Sequence, residues 1–331
     1  MYFIQAASTI SHQPTFKNKS FSENISTLNT ASELLSPDYK KYITPVMLRR
    51  MSKILRMSVA CSVDCLEQTD IKSPDAIVVG TGLGCLDDTE KFLNNIISIK
   101  EGLIPPTSFI QSTHNTIAGQ ISLILQNHNY NMTHTQNTLS FEHALQDAFL
   151  CLDEGGENVL VGAADEHIEI LDDIAEEIGY KNMQLTSGAS FFIVSTKNNK
   201  NSKICVLNAA SYGLFNSFSE SLEDFFSASI PLLGKSKIDL GTIDLILFST
   251  LQEKTKNEIA DLFKGKSIVD YEKYSGTYFT NSAFALHLAI DILESGKNNF
   301  NGMTIDMKRI LICNNLNSQN MGLILVEKVE A

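Results

Sequence analysis

"SFEHALQDAFLCLDEGGENVLVGAADE", residues 140–166, is the stretch on which the reading of the fold turns. Its first part spaces apolar residues three and four apart and stops at a glycine pair, the pattern of an amphipathic helix and its C-terminal stop. Its second part, NVLVGA (158–163), is a short, nearly continuous apolar run and reads as a strand covered on both faces. The same grammar recurs along the chain. A first set runs DAIVVGTGLG (75–84), FEHALQDAFLCLDEGG (141–156), NVLVGAADE (158–166) and GASFFIVSTK (188–197). A second runs DLILFSTLQ (244–252), FALHLAIDILESG (284–296), RILICNNLN (309–317) and MGLILVEKV (321–329). Strand, helix, strand, strand occurs twice, so the expected fold class is α/β, built of two pseudo-duplicated halves at 1–197 and 198–331. KICVLN (203–208) adds a further strand, and TPVMLRRMSKILRMSVACSVDCLEQ (44–68) a helix. KNNKNSK (197–203) and KNNFN (297–301) read as exposed turns.

Composition narrows the function classes. The chain has 331 residues, 43% hydrophobic and 19% charged, which supports a packed core and argues against disorder. A net charge of −12, from 26 basic and 38 acidic residues, opposes nucleic-acid binding. No apolar run is long enough to span a bilayer, and the N-terminal MYFIQAASTISHQ lacks the basic head and apolar stretch of a secretory signal, so a cytoplasmic location is expected. The six cysteines are scattered, and Cys61 and Cys65, one helical turn apart, have no second pair to complete a zinc site. GTGLG (80–84) suggests a phosphate-binding turn until the next residues, CLDDTEKF, place carboxylates where phosphate would sit. No cofactor or metal is expected.

RRMSKILRMSVACSVDCLEQ (49–68), AIVVGTGLGCLDDTEKFL (76–93), PPTSFIQSTHNTIAGQIS (105–122) and VLVGAADE (159–166), in that order, resemble the β-ketoacyl synthase branch of the thiolase superfamily. The second half is similar more loosely, through YEKYSGTYFTNSAFALHLAIDIL (271–293) and the last strand pair. The resemblance implies a layered α-β-α-β-α architecture. It also implies a condensing centre in which a cysteine at a helix N-terminus carries an acyl thioester and two histidines assist decarboxylation and hold the developing enolate.

Against that pattern the chain departs at each functional point. The family cysteine falls on Gln136 when aligned forward from NYNMTHT, or on Thr138 when counted back from Gly155. The first family histidine should follow DLILFS, where STLQEKT stands; the second should follow Lys273, where Tyr278 stands. CNNLNSQNMG (313–322) replaces the family's glycine-rich loop. His134 and His143 flank the nucleophile position and, with Lys273, are the expected residues of a remnant pocket.

The resemblance points furthest toward the chain-length factors, catalytically degenerate ketosynthases of polyketide, aryl polyene and flexirubin-type pathways. These pair with an active β-ketoacyl synthase and shape the tunnel in which its acyl chain grows. Two other readings stand beside it: a malonyl-carrier-protein decarboxylase with glutamine in place of cysteine, and a homodimeric acyl-binding scaffold. Acyl carrier protein, itself acidic, is expected to dock on the partner rather than on this acidic chain. NVLVGA is expected to be the sheet edge that a partner covers.

Overall fold

The computed structural model describes residues 1–98, 106–179, 183–198, 202–213, 218–229, 240–250, 252–296, 307–316 and 319–329. Its strands are β1 Tyr2–Ile10, β2 Ala76–Gly80, β3 Tyr130–His134, β4 Asn158–Asp165, β5 Gly188–Ser195, β6 Ile204–Gly213, β7 Leu245–Thr250, β8 Ser267–Asp270, β9 Arg309–Asn315 and β10 Asn320–Lys328. The order across the sheet is β3-β2-β4-β5-β1-β6-β10-β9-β7-β8. The repeat read from the sequence is explicit here, because each half contributes the same order of five strands counted from its outer edge.

Strand directions repeat as well. In the first half β3, β2 and β4 are parallel, and β5 and β1 add antiparallel. In the second β8, β7 and β9 are parallel, and β10 and β6 add antiparallel. Between the two half-sheets, strand pairing among the described residues is made where Tyr2 and Phe3 of β1 face Val206 and Cys205 of β6.

Helices of eight residues or more are α1 Lys53–Glu67, α2 Leu86–Ser98, α3 Thr116–Leu125, α4 Ser140–Asp153, α5 Ile170–Glu177, α6 Phe218–Ser229, α7 Glu253–Leu262 and α8 Ser282–Ser295. Three apolar cores show how they stack. The central one joins α4 and α8 to strands of both halves, through Phe141, Leu145, Phe284 and Leu288. An outer core packs α1 and α3 on the first half-sheet, and another packs α6 and α7 on the second. The layers are therefore α-β-α-β-α, as the resemblance implied.

Position in the stack explains composition. Every residue of α8 from Ser282 to Leu293 is buried, which fits a helix that is apolar all round. His287 and Asp291, two of its polar exceptions, are paired. His287 Nδ1 lies 2.8 Å from Thr9 Oγ1, and burial pulls its pKa down to about 3, so it is a neutral packing residue. Asp291 accepts from the backbone N–H groups of Ser20 and Ser22 at 2.7 and 2.9 Å and anchors the N-terminal loop.

Two expectations need correction. NVLVGA is not an edge: β4 pairs with β2 on one side and β5 on the other, and its continuous apolar run is what a strand surrounded on all sides requires. The edge of the first half is β3, YNMTH, whose polar character matches its exposure. The single helix expected over 44–68 is broken into Pro45–Leu48 and α1. Of the expected turns, 199–201 and 297–301 lie outside the described residues. Among the described residues, no helix is long and apolar enough to cross a membrane.

Candidate functional site

The link from β3 into α4 forms the centre of the site. Asn137 takes a left-handed φ of 55°, and a single 3-10 turn, Asn137–Leu139, leads into the helix. Ser140 locks this turn: its Oγ accepts from Gln136 N at 2.9 Å and donates to Asn137 O at 2.7 Å. Asn137 Oδ1 accepts from Thr138 N at 2.8 Å. Beneath it lies Gly80 at the end of β2, where a Cβ would stand 2.4 Å from Ser140 O. Only glycine lets the helix N-terminus come this close to the sheet.

A cavity of about 400 Å³ opens beside the turn. Asn137 and Thr138 line it from the turn, Gln252 from the segment after β7, Tyr278 from the segment before α8, and Leu316 from the segment after β9. Each segment in which a departure from the ketosynthase pattern is expected thus contributes a residue to one cavity. Its outer wall is apolar, made by Leu171, Ile174 and Ile178 around α5 with Met183 and Leu185.

Asp165, Glu166 and His167 form the floor, and the sequence reading had not singled them out. Asp165 accepts from Thr81 Oγ1, Gly82 N, Leu83 N and Thr280 Oγ1 at 3.0, 2.9, 3.0 and 2.8 Å. Burial raises its pKa while these donors oppose the rise. The amides of the GTGLG turn are therefore already occupied by a carboxylate. Glu166 accepts from Ile54 N at 3.1 Å and Asp87 N at 3.2 Å, and burial pushes its pKa up to about 7. His167 Nε2 lies 2.9 Å from Asp172 Oδ2. The signal that could have found them is the run DEH, which closes the apolar stretch VLVGAA (159–164).

Thr138 is buried, and its hydroxyl has no hydrogen-bond partner among the described residues. An alcohol needs a bound base to become a nucleophile, and among the described residues none is hydrogen-bonded to this hydroxyl. Tyr278 is 5% exposed, and its ring fills the space against Gly188, where a Cβ would stand 2.5 Å from the tyrosine hydroxyl. No cysteine lines the cavity. Cys85 is buried near Glu166 and Asp88, and desolvation holds its thiol protonated.

The other expected residues lie elsewhere. Gln136 is exposed and lines a second, smaller cavity of about 180 Å³ together with His143 and Ser211. His134 Nε2 lies 2.8 Å from Asp147 Oδ2, and its ring centroid is 6.5 Å from that of His143. His143 Nε2 lies 3.3 Å from Ser211 Oγ, and burial lowers its pKa. The two histidines therefore meet each other but do not line the cavity of Thr138. Lys273 is exposed on the short helix Glu272–Ser275 and does not line that cavity either; the turn that buries Tyr278 leaves it facing outward.

Two layers of comparison bear on this geometry. The family model for the β-ketoacyl synthase N-terminal domain matches residues 24–210, and the chain belongs to the β-ketoacyl synthase family. No curated protein matches it in sequence. Among solved structures it is similar to the ishigamide ketosynthase/chain length factor, with a TM-score of 0.76 at 14% identity, covering 99% of both chains. A ketosynthase in complex with its chain length factor from Xenorhabdus doucetiae gives 0.75 at 11% identity, over 99% of this chain and 98% of that one. A β-ketoacyl synthase from Burkholderia phymatum STM815 gives 0.75 at 11% identity, over 99% of both. The fold is thiolase-like.

Proposed function

We propose that this chain is a non-catalytic, chain-length-factor-like subunit that pairs in the cytoplasm with an active β-ketoacyl synthase of polyketide or aryl polyene biosynthesis and helps shape its acyl tunnel. One observation carries the reading. The cavity that takes Thr138, Gln252, Tyr278 and Leu316 from the segments expected to carry the family's catalytic groups has neither a thiol nor a pair of imidazoles among its lining residues, and condensation requires both. The similarity to ketosynthase complexes that contain a chain length factor supports it. The open edge of β3, with Tyr130 and Met132 exposed, offers a place for the partner. Carrier protein then engages mainly through the partner, since the net charge here is −12.

The decarboxylase reading loses support because Gln136 lies outside the Thr138 cavity and no pair of histidines faces it. A homodimeric scaffold would use the same β3 edge. Co-expression with a full-length ketosynthase separates these readings. The expected result is a soluble one-to-one complex that condenses malonyl units only when both chains are present. A stable homodimer that ignores the ketosynthase, or release of carbon dioxide from malonyl carrier protein by this chain alone, would overturn the proposal.

A further inference from the structure

We propose that Ser211 and His143 form a nucleophile–base dyad in the smaller cavity and hydrolyse esters of short acyl groups there. Ser211 Oγ lies 3.3 Å from His143 Nε2, and both residues line that cavity of about 180 Å³. A hydroxyl within reach of an imidazole is the pairing that activates an otherwise weak nucleophile, and such pairs are often loose before substrate arrives. With the imidazole proton on Nδ1, the hydroxyl donates to Nε2.

The two residues come from different halves, and the sheet brings them together. Ser211 of β6 pairs with Gly322 of β10, where a Cβ would stand 2.6 Å from Glu142 Oε1. Residues directly opposite each other share a face of the sheet, so Ser211 also faces α4. His143 follows Glu142 on the first turn of that helix and reaches the serine. Burial, and then the neighbouring His134, lower the His143 pKa below its ordinary value, which keeps the ring in the neutral form that accepts a proton. His134 is held in turn by Asp147, 2.8 Å from its Nε2.

The rest of the lining suits an acyl transfer. Gln136 and Asn320 bring carboxamides to the cavity, the kind of donor that stabilises an oxyanion, and the Gln136 side chain is not spent on capping the turn it precedes. The cavity is smaller than the roughly 300–1,000 Å³ of drug-sized sites, so it takes an acetyl or butyryl group rather than a long chain. In the first step Ser211 Oγ attacks the ester carbonyl carbon and its proton passes to His143 Nε2; the imidazolium gives that proton to the departing oxygen, which leaves as an alcohol. Water then attacks the acyl-serine and gives its proton to Nε2. The imidazolium returns it to Ser211 Oγ as the carboxylic acid leaves.

No carbon–carbon bond forms, so the reaction needs none of the groups that condensation requires, and it does not rest on the pairing reading. Full-length protein with p-nitrophenyl acetate at pH 7.5 tests it, with diisopropyl fluorophosphate and peptide mass spectrometry to locate the nucleophile. Saturable release of p-nitrophenol is expected, with the phosphoryl adduct on Ser211. Ser211→Ala and His143→Ala should each lower kcat/KM about 100-fold or more with unchanged circular dichroism spectra. His128→Ala removes an exposed imidazole on another segment and should leave the rate as it was. p-Nitrophenyl decanoate should turn over at least about tenfold more slowly than the acetate. Absence of turnover, an adduct on another residue, or turnover that survives Ser211→Ala would each overturn the proposal. Labelling of the unaltered chain decides the matter even where a variant fails to fold, and whatever co-expression with a ketosynthase shows.

Discussion

Asn314 Nδ2 donates to the carbonyl of Thr138 at 2.8 Å, joining β9 of the second half to the turn before α4 in the first, across 176 residues of chain. The same amide donates to Glu142 Oε1 at 2.9 Å. A side chain from one repeat thus holds the turn before α4 of the other in place.

Installing a thiol tests how far the scaffold still favours chemistry. Asn137 sits exposed at the mouth with φ 55°, while Thr138 is buried one residue on. Asn137→Cys is expected to react with iodoacetamide at least tenfold faster than Thr138→Cys, followed by intact-protein mass spectrometry. The α4 N-terminus favours the thiolate, yet neither variant should condense malonyl units without the imidazoles. A condensation product from either variant alone would sink the view that chemistry is absent for want of more than one group.

Stability should fall as pH rises through the weakly acidic range. Glu142 is fully buried and Glu166 nearly so, and desolvation pushes both up to about 7 from an ordinary value of 4.5. Below 4.5 both are protonated folded or unfolded. Between 4.5 and 7 the unfolded chain releases these protons and the folded chain keeps them, so folding weakens with rising pH and levels off above 7. Each group accounts for roughly 3 kcal/mol at most across that window. Urea unfolding at pH 5 and pH 8 measures it. Glu142→Gln should flatten the profile; an unchanged slope in that variant would remove Glu142 from the account.

A Cβ at Gly188 would stand 2.5 Å from both Cζ and Oη of Tyr278. Gly188→Ala is therefore expected to cost about 1–3 kcal/mol by overpacking. Tyr278→Leu removes the obstructing ring end and opens a void of its own. If the ring is the cause, the double variant should be more stable than the sum of the singles by more than about 1 kcal/mol in a double-mutant cycle. Simple additivity would place the strain elsewhere.

The interior of this fold was legible because buried strands need unbroken apolar runs, and β2, β4, β5, β7, β9 and β10 have them. The edges were not. YNMTH carries no such run because β3 is exposed, and β8 has only four residues. At the site the sequence tells which residue types a segment lacks, since a thiol or an imidazole is either present in it or not. The sequence does not choose between Gln136 and Thr138; in the fold they line different cavities, on either side of the left-handed φ at Asn137. Asp165 and Glu166 were hidden for a similar reason: their partners, Ile54, Gly82, Leu83, Asp87 and Thr280, are distant in sequence and brought close only by the fold.

The outer edge of β3 gives the sharpest test of pairing. The strand bonds to β2 on one side, and Tyr130 and Met132 are 44% and 41% exposed. It is flanked by α3 and α4, which leave Leu123 and Leu150 exposed at 67% and 61%. An open strand bordered by bare apolar residues invites addition of a partner strand. Met132→Lys combined with Leu150→Lys places two cations where such a partner would have to desolvate them. Neither residue is buried, so the isolated chain should lose less than about 1 kcal/mol of stability. Association with a co-expressed ketosynthase, read by sedimentation velocity, is expected to weaken at least tenfold. Undiminished association would move the interface away from β3 and leave its exposed edge without a role.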